Sequence, residues 1–376
     1  MVSFEIIRDK ARLPEYLEHW NELFDSNGYE ASTSFEWTHA LLETHLGDDT
    51  FLFIVLKDCG GIAGIVPLVI SKTKKYGLSL LNLFPISEYY NTHSDLLLKE
   101  PMLEMLKVFI EAIFSLEREW DVLRIGRFIE TNPLLESFEQ YLGETGIKYE
   151  INKGEPSFFL RLGDSYSDYL QGRSDKFRNY LRRMEKKLGS KGKVEFVSHV
   201  NYNSFNEAYD QVLLIEQESW KHNHGTAITS IEKQNNFYRK LCERASEQGR
   251  LDLSILLLDG EPVAYNMGIV KDKRYYYLKT SYKEKFREVS PSTVLRARLI
   301  ENLISHGTEE FDFPGEPYEW ERQWTEELRW HKSLLIYNNT YKAGLFSLYN
   351  TVRKKKNRSG APFIYHNPRD LKPQKN

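Results

Sequence analysis

The sequence predicts a mixed α/β protein of two tandem domains, each a mostly antiparallel mixed sheet flanked by helices. Three observations carry this expectation. The chain has 376 residues, long for one hydrophobic core and ample for two. One order of elements, three strands, a helix and a strand, occurs in both halves. A Gly- and Pro-containing polar stretch, "KGEPS" (153–157), separates them.

In the first half the order is "FLFIVLKD" (51–58), the turn at Gly60-Gly61, "IAGIVPLVIS" (62–71), "LSLLNLF" (78–84), the helix "PMLEMLKVFIEAIFSL" (101–116) and "WDVLRI" (120–125). In the second half "LDLSILLL" (251–258), the turn Asp259-Gly260, "PVAYNMGIV" (262–270), the turn at 271–273 and "RYYYLKT" (274–280) make a three-stranded antiparallel meander. A helix follows from Pro291, with Leu295, Leu299 and Leu303 at helical spacing and Gly307 at its stop. "EEFDF" (309–313) and "LRWHKSLLIYN" (328–338) complete the second copy. The expected domains are 1–155, lacking a donor site, and 156–352, with a basic tail over 353–376.

Composition excludes several function classes. The 51 Lys and Arg against 54 Asp and Glu give no global field for a nucleic-acid coat. Cys59 and Cys242 are too few and too isolated for a disulfide framework or a zinc site. No apolar run approaches the roughly 20 residues of a membrane span. A cytoplasmic protein without a metal is expected.

The helix start is the most informative stretch. In "REVSPST" (287–293), Ser290 reads as N-cap and Pro291 as first helical residue, with Lys283, Lys285 and Arg287 just before them. A helix N-terminus entered through such a loop suits a phosphate. The first copy enters its helix through Lys99, Glu100 and Pro101, and a carboxylate there repels an anion. Donor binding is therefore expected in the second copy.

These residues resemble the FemAB-like branch of the GNAT acyltransferases, in particular its CelD-type, exopolysaccharide-associated group. The resemblance lies in the order of "KFRNYLRRMEKKL" (176–188), "EQESWK" (216–221), "LDGEPVAY" (258–265), "KTSYKEKFREVSPSTVL" (279–295) and "FDFPGEPYEWERQW" (311–324), within about residues 20–340. Ser292 stands where the family commonly has glycine, and Glu319 where it has lysine. The resemblance implies GNAT-like domains, a strand splayed from its neighbour, an acyl-CoA lying along that strand and pyrophosphate at the next helix end. Lys279, Phe286, Arg287, Val289, Ser290, Ser292 and Thr293 are the donor-binding residues it implies, with acetyl-CoA the expected acyl-CoA.

Transfer from a thioester to an amine needs a proton acceptor, a polarising donor and an acid for the thiolate. Asp312 and Glu316, at the end of a strand among aromatic residues, are candidate bases, and Tyr318 or Tyr282 a candidate acid. Arg178, Arg182 and Arg183 on a basic helix, with Trp220, Lys221, Tyr265 and Tyr282, are candidate acceptor contacts. His222 and His224 have no carboxylate in register and do not read as a metal pair. The expected activity is acyl transfer from acyl-CoA to an amine of a sugar, nucleotide sugar or cell-envelope precursor, with DNA excluded as a partner. An aminoacyl-tRNA-dependent ligase, as in the peptidoglycan branch of the family, ranks second because no long helical hairpin for tRNA is visible. A non-catalytic component of polysaccharide synthesis is a third reading.

Overall fold

The computed structural model describes residues 2–26, 28–90, 92–100, 102–199 and 202–356. Most of the expected basic tail and Pro101 thus lie outside the described residues. The strands in the first part of the chain are β1 (Ser3–Ile7), β2 (Thr50–Asp58), β3 (Gly61–Lys75), β4 (Leu78–Pro85), β5 (Leu97–Leu98), β6 (Val122–Ile129) and β7 (Tyr149–Lys153). The helices are α1 (Leu17–Ser26), α2 (Phe35–Thr44), α3 (Met102–Ser115) and α4 (Pro133–Thr145). Next come β8 (Ser157–Arg161), α5 (Tyr166–Gln171), α6 (Asp175–Gly189), β9 (Val194–His199), α7 (Phe205–Gln217), α8 (Trp220–Asn223) and α9 (Glu232–Glu247). The meander is β10 (Leu251–Leu258), β11 (Glu261–Lys271) and β12 (Arg274–Tyr282), followed by α10 (Pro291–Ser305) and β13 (Glu310–Phe313). The chain continues through β14 (Leu328–Arg329) and β15 (His331–Tyr337) to α11 (Tyr341–Lys356).

Two compact units result, 2–156 with 329–356, and 157–328. The first holds a sheet ordered β1-β2-β3-β4-β6-β15-β7, with β5 beside β3; the second holds β14-β8-β13-β12-β11-β10-β9. The repeated plan is present in the strand pairing. β2, β3 and β4 are antiparallel, and β4 meets β6 in parallel after α3. β10, β11 and β12 are likewise antiparallel, and β12 meets β13 in parallel after α10.

One assignment is corrected. The segment 328–338 was expected to close the second copy, yet β15 lies in the first sheet, antiparallel to both β6 and β7, with Leu334 and Ile336 buried in that core. Sequential elements usually pack together, and here a non-local pairing overrides that tendency. The corresponding place beside β13 is taken by β8 from the start of the unit.

Within the second unit the sheet has two covered faces. Ala264, Tyr275 and Phe311 pack toward α6 and α10 with Val294, Leu295 and Leu299. The opposite face meets α7 and α9, as Tyr265 reaching Glu216 demonstrates. The turn at Asp259 (φ 50°) and Gly260 (φ 80°) has the primed geometry that matches strand twist.

Gly268 on β11 faces the ring of Tyr275, and a Cβ built there would lie 2.2 Å from Tyr275 Cζ. Tyr275 is fully buried and stacked on Phe311 at 4.6 Å between centroids, so the ring has nowhere to retreat. Gly268→Ala should therefore lower unfolding stability by about 1–3 kcal/mol. Denaturant unfolding measures this, and an unchanged midpoint would refute the close approach.

Candidate functional site

The second sheet opens where its two parallel strands part. Pairing runs through Arg274↔Glu310, Tyr275↔Phe311 and Tyr276↔Asp312, and β13 then ends at Phe313 while β12 continues to Tyr282. Two local features drive the separation. A register shift opposite Met267 and Gly268 leaves Leu278 as the extra residue of a bulge, which bends β12. Beyond β13, Pro314 brings no N–H for a ladder, and Trp320 packs edge-on against both Tyr277 and Phe313.

β12 leads through a 3-10 turn, Glu284–Val289, to the N-terminus of α10. Ser290 holds a left-handed conformation (φ 47°, ψ 57°), and its hydroxyl does not cap the helix as expected. Instead Tyr180 Oη donates to Ser290 Oγ at 2.6 Å, and the Thr293 and Val294 N–H groups turn back to Ser290 O. The Ser290 N–H is given to Arg287 O at 3.1 Å, so the Ser290, Thr293 and Val294 donors are all used within this turn. Ser292 Oγ is buried without a hydrogen-bond partner, as are both polar side-chain atoms of Asn266 on the face of β11 beneath α10. Those orphaned groups fit a polar ligand at this end. Val289 is core and the half-buried Phe286 packs beside it, with the Phe286 N–H given to Lys283 O at 3.0 Å.

The expected cations are rearranged. Lys283 Nζ lies 2.8 Å from both Glu218 and Glu261, Lys285 is 2.6 Å from Glu261, and Arg287 is 3.6 Å from Glu284. Positive charge comes instead from α6, where the Arg183 guanidinium stands over the Tyr180 ring and Lys187 Nζ donates to Glu288 O at 3.1 Å. The α6 helix, on which Arg178, Arg182 and Arg183 were expected to meet an acceptor, thus packs on the loop that leads into α10. Arg178 is held by Asp175 of its own helix and by Gln171 O at the end of α5, and exposed Arg182 contacts Asn179.

The corresponding places in the first unit are filled by its own side chains. The buried Glu88 carboxylate accepts the N–H of Gly126 on β6 and pairs with Arg124 at 2.9 Å. Burial raises its pKa to about 6 while Arg124 and Gly126 pull it back. At α3, Glu100 accepts the Met102 N–H at 2.8 Å.

On the α7 face of the second sheet, a polar cluster lies beside the same part of β12. Glu216, which sequence reading did not single out, accepts Tyr265 Oη at 2.6 Å and the Ile228 N–H at 2.8 Å. Tyr265, expected to touch an acceptor, is a buried core residue with that hydroxyl committed. Lys221 Nζ donates to Thr280 O, and Lys279 Nζ reaches Gln234 Oε1 at 3.3 Å above the Tyr238 ring. Burial, then the neighbouring Lys221 ammonium, lowers the Lys279 pKa to about 8, with Glu216 opposing. A half-buried amine that is neutral in part of the protein is a usable proton acceptor.

Asp312 is wholly buried in the paired stretch of β13, which removes it from reach of a substrate proton. Glu316 and Tyr318 are half-buried in the loop after β13. Burial and the nearby Glu321 and Glu316 carboxylates push the Tyr318 phenol up to about 12. Glu321 is buried and accepts the Tyr318 N–H at 2.9 Å, fixing that loop. Arg296, also buried, lies 4.2 Å from the Trp320 ring centroid. Trp220 opens the short helix α8 and meets His224 edge-on, and Tyr282 is half-buried. Among the described residues no cluster of His, Cys, Asp or Glu is arranged to hold a metal, and no helix is long and apolar enough to cross a membrane.

Residues 175–322, which span all of these groups from α6 to the loop after β13, match the acetyltransferase (GNAT) domain family. The chain carries an acyltransferase domain of the GNAT type. Its structure is similar to that of FemX, at 12% identity and TM-score 0.61 over 92% of this chain and 99% of that one. It is also similar to L-PGS from Bacillus licheniformis, at 14% identity and TM-score 0.54 over 92% and 97%. At such identities the likeness is one of fold. A search of curated protein sequences gave no match.

If the α10 end receives pyrophosphate, Ser292→Asp should weaken acetyl-CoA binding at least tenfold by charge repulsion, and Ser292→Ala about two- to fivefold by loss of one unpartnered hydroxyl. Arg183→Gln should weaken it about two- to fivefold, the modest effect of an exposed cation, and Arg182→Gln less. Calorimetry on folded variants reads these differences. A Ser292→Asp variant that binds like the parent would leave the helix end as a simple terminus.

Proposed function

We propose that the second unit transfers an acyl group, acetyl in the first instance, directly from acyl-CoA to an amine of a sugar, nucleotide sugar or cell-envelope precursor. The observation that carries this reading is the parting of β12 from β13 beside an α10 end that keeps unpartnered polar groups. A thioester donor laid along the free side of β12 has its phosphates at α10 and its acyl carbon near the bulge at Leu278. The first unit, with Glu88 and Glu100 on the equivalent groups, has no donor site of its own. The CelD-type resemblance supports a polysaccharide or envelope acceptor.

In this reading the acceptor ammonium gives a proton to the neutral Lys279 amine. The freed amine nitrogen attacks the thioester carbonyl, the C–N bond forms and the C–S bond breaks. The departing thiolate takes a proton from Tyr318, which its raised pKa keeps protonated through the neutral range, and the second proton of the new C–N nitrogen passes to the Tyr318 phenolate, leaving a neutral amide and a restored phenol. Burial, and then repulsion from Lys221, holds Lys279 partly neutral, and Glu216 with Tyr265 fixes the wall behind both. Trp220 and Glu316 line the acceptor side.

The sign of the pH dependence follows. Lys279 must be neutral, so kcat/KM rises with pH through about 8. Lys221→Gln removes a like charge and should move that limb to higher pH, whereas Lys279→Gln should cost about a hundredfold or more in rate. The assay is acyl transfer from acetyl-CoA to a panel of amino sugars and nucleotide-linked amino sugars, alongside calorimetric binding of acetyl-CoA. A parent that does not bind acetyl-CoA overturns the donor assignment. Copurified RNA released steeply by salt would then favour the aminoacyl-tRNA reading.

A further inference from the structure

Helix α11 carries two apolar faces. Ala343, Phe346 and Ser347 are buried and pack on Leu80, Val122 and Tyr337 of the first unit. Tyr341, Leu345, Leu348, Tyr349 and Val352 recur at helical spacing on the opposite side, and their exposures are 75%, 50%, 60%, 46% and 47%. Among the described residues, nine large hydrophobic side chains are exposed, and five of them are these. Scattered exposed apolar residues need no account, but a continuous stripe along one helix does.

The surroundings of the stripe are basic. The tip of the β3–β4 hairpin lies against α11, with Tyr76 stacked on Tyr349 at 3.8 Å and Lys75 Nζ 5.3 Å from the Phe346 ring centroid. Lys72, Lys74 and Lys75 are all exposed there. Arg353 reaches Tyr76 Oη from the last turns of the helix, and the sequence continues with Lys354, Lys355, Lys356 and Arg358. No Asp or Glu occurs anywhere from 328 to 369.

We propose that the exposed face of α11, with the hairpin lysines and Arg353, docks the protein on a membrane surface containing anionic lipids. The stripe from Tyr341 to Val352 is about 16 Å long at the helical rise, which suits lying in the interface and is too short to span it. An amphipathic helix with tyrosines and leucines on one side and cations beside them gains both apolar burial and attraction to anionic headgroups. A second copy of the chain would bring an equally positive rim, so the charge favours a bilayer over self-association. The docking concerns the first unit alone and stands apart from the proposed acyl transfer.

The test is flotation of the full-length protein with vesicles of phosphatidylglycerol mixed with phosphatidylcholine, and with phosphatidylcholine alone. The parent should bind the anionic vesicles at least tenfold more tightly than the neutral ones, and added salt should weaken it. Leu345→Ser with Leu348→Ser should reduce binding to anionic vesicles about tenfold or more. Lys74→Gln, Lys75→Gln and Arg353→Gln together should reduce it by a similar factor while leaving neutral vesicles unaffected. All of these positions are exposed, and circular dichroism checks that folding is unchanged. The proposal is overturned if the parent does not float or if neither set of variants changes binding. It is equally overturned if sedimentation finds a dimer that Leu348→Ser dissociates. Flotation only after removal of the residues beyond 358 would identify that segment as the occupant, and so would also overturn it.

Discussion

The second unit depends on a parallel strand pair that is allowed to pair for only three residues. Full pairing would bury the backbone groups of β12 in the ladder and leave nothing for a ligand to meet. The Leu278 bulge bends β12, and the Trp320 ring packs where strand continuation would have to run. The aromatic cluster of Tyr275, Tyr277, Phe311 and Phe313 keeps the paired part closed. Arg296 beneath Trp320 is stabilised by ring faces and by the field of Glu321, a costly burial that fixes the loop's position.

The two units show how one topology supports two roles. In the first, a carboxylate takes the strand N–H at Gly126 and another takes the helix N–H at Met102. These contacts satisfy groups that otherwise call for a ligand, and they add negative charge where a phosphate would need the opposite. In the second, the Ser292 hydroxyl and the Asn266 amide near the helix start are unclaimed, and the cations of the loop are balanced by Glu218 and Glu261. The loop is thereby held rigid rather than strongly positive.

Much of the second unit was legible because its signals are local. Asp259-Gly260 marks a primed turn, Leu295, Leu299 and Leu303 mark a helical face, and Ser290-Pro291 marks a helix start. The structure places each of these within a residue or two of its expected position. What was not legible depends on distant partners. The charge of Lys283 is visible in sequence, but its neutralisation by Glu218 requires knowing that α7 ends beside β12. Tyr265 reads as a site residue from its motif, and only the fold shows its hydroxyl spent on Glu216. The lowered pKa of Lys279 likewise needs Lys221, whose only sequence signal was its place in "EQESWK". β15 failed for the same reason, since alternation identifies a strand without saying which sheet receives it.

That strand has a consequence for how the protein is made. β6 and β7 leave the ribosome early, but the strand that pairs with both of them is encoded roughly 180 residues later. At ordinary elongation rates the nascent first unit waits about ten to forty seconds with two open strand edges and an incomplete core. Unpaired edges of this kind are templates for association with other chains. The first part synthesised is therefore the last part finished, and ribosome-associated chaperones have most to shield between the emergence of β7 and that of β15.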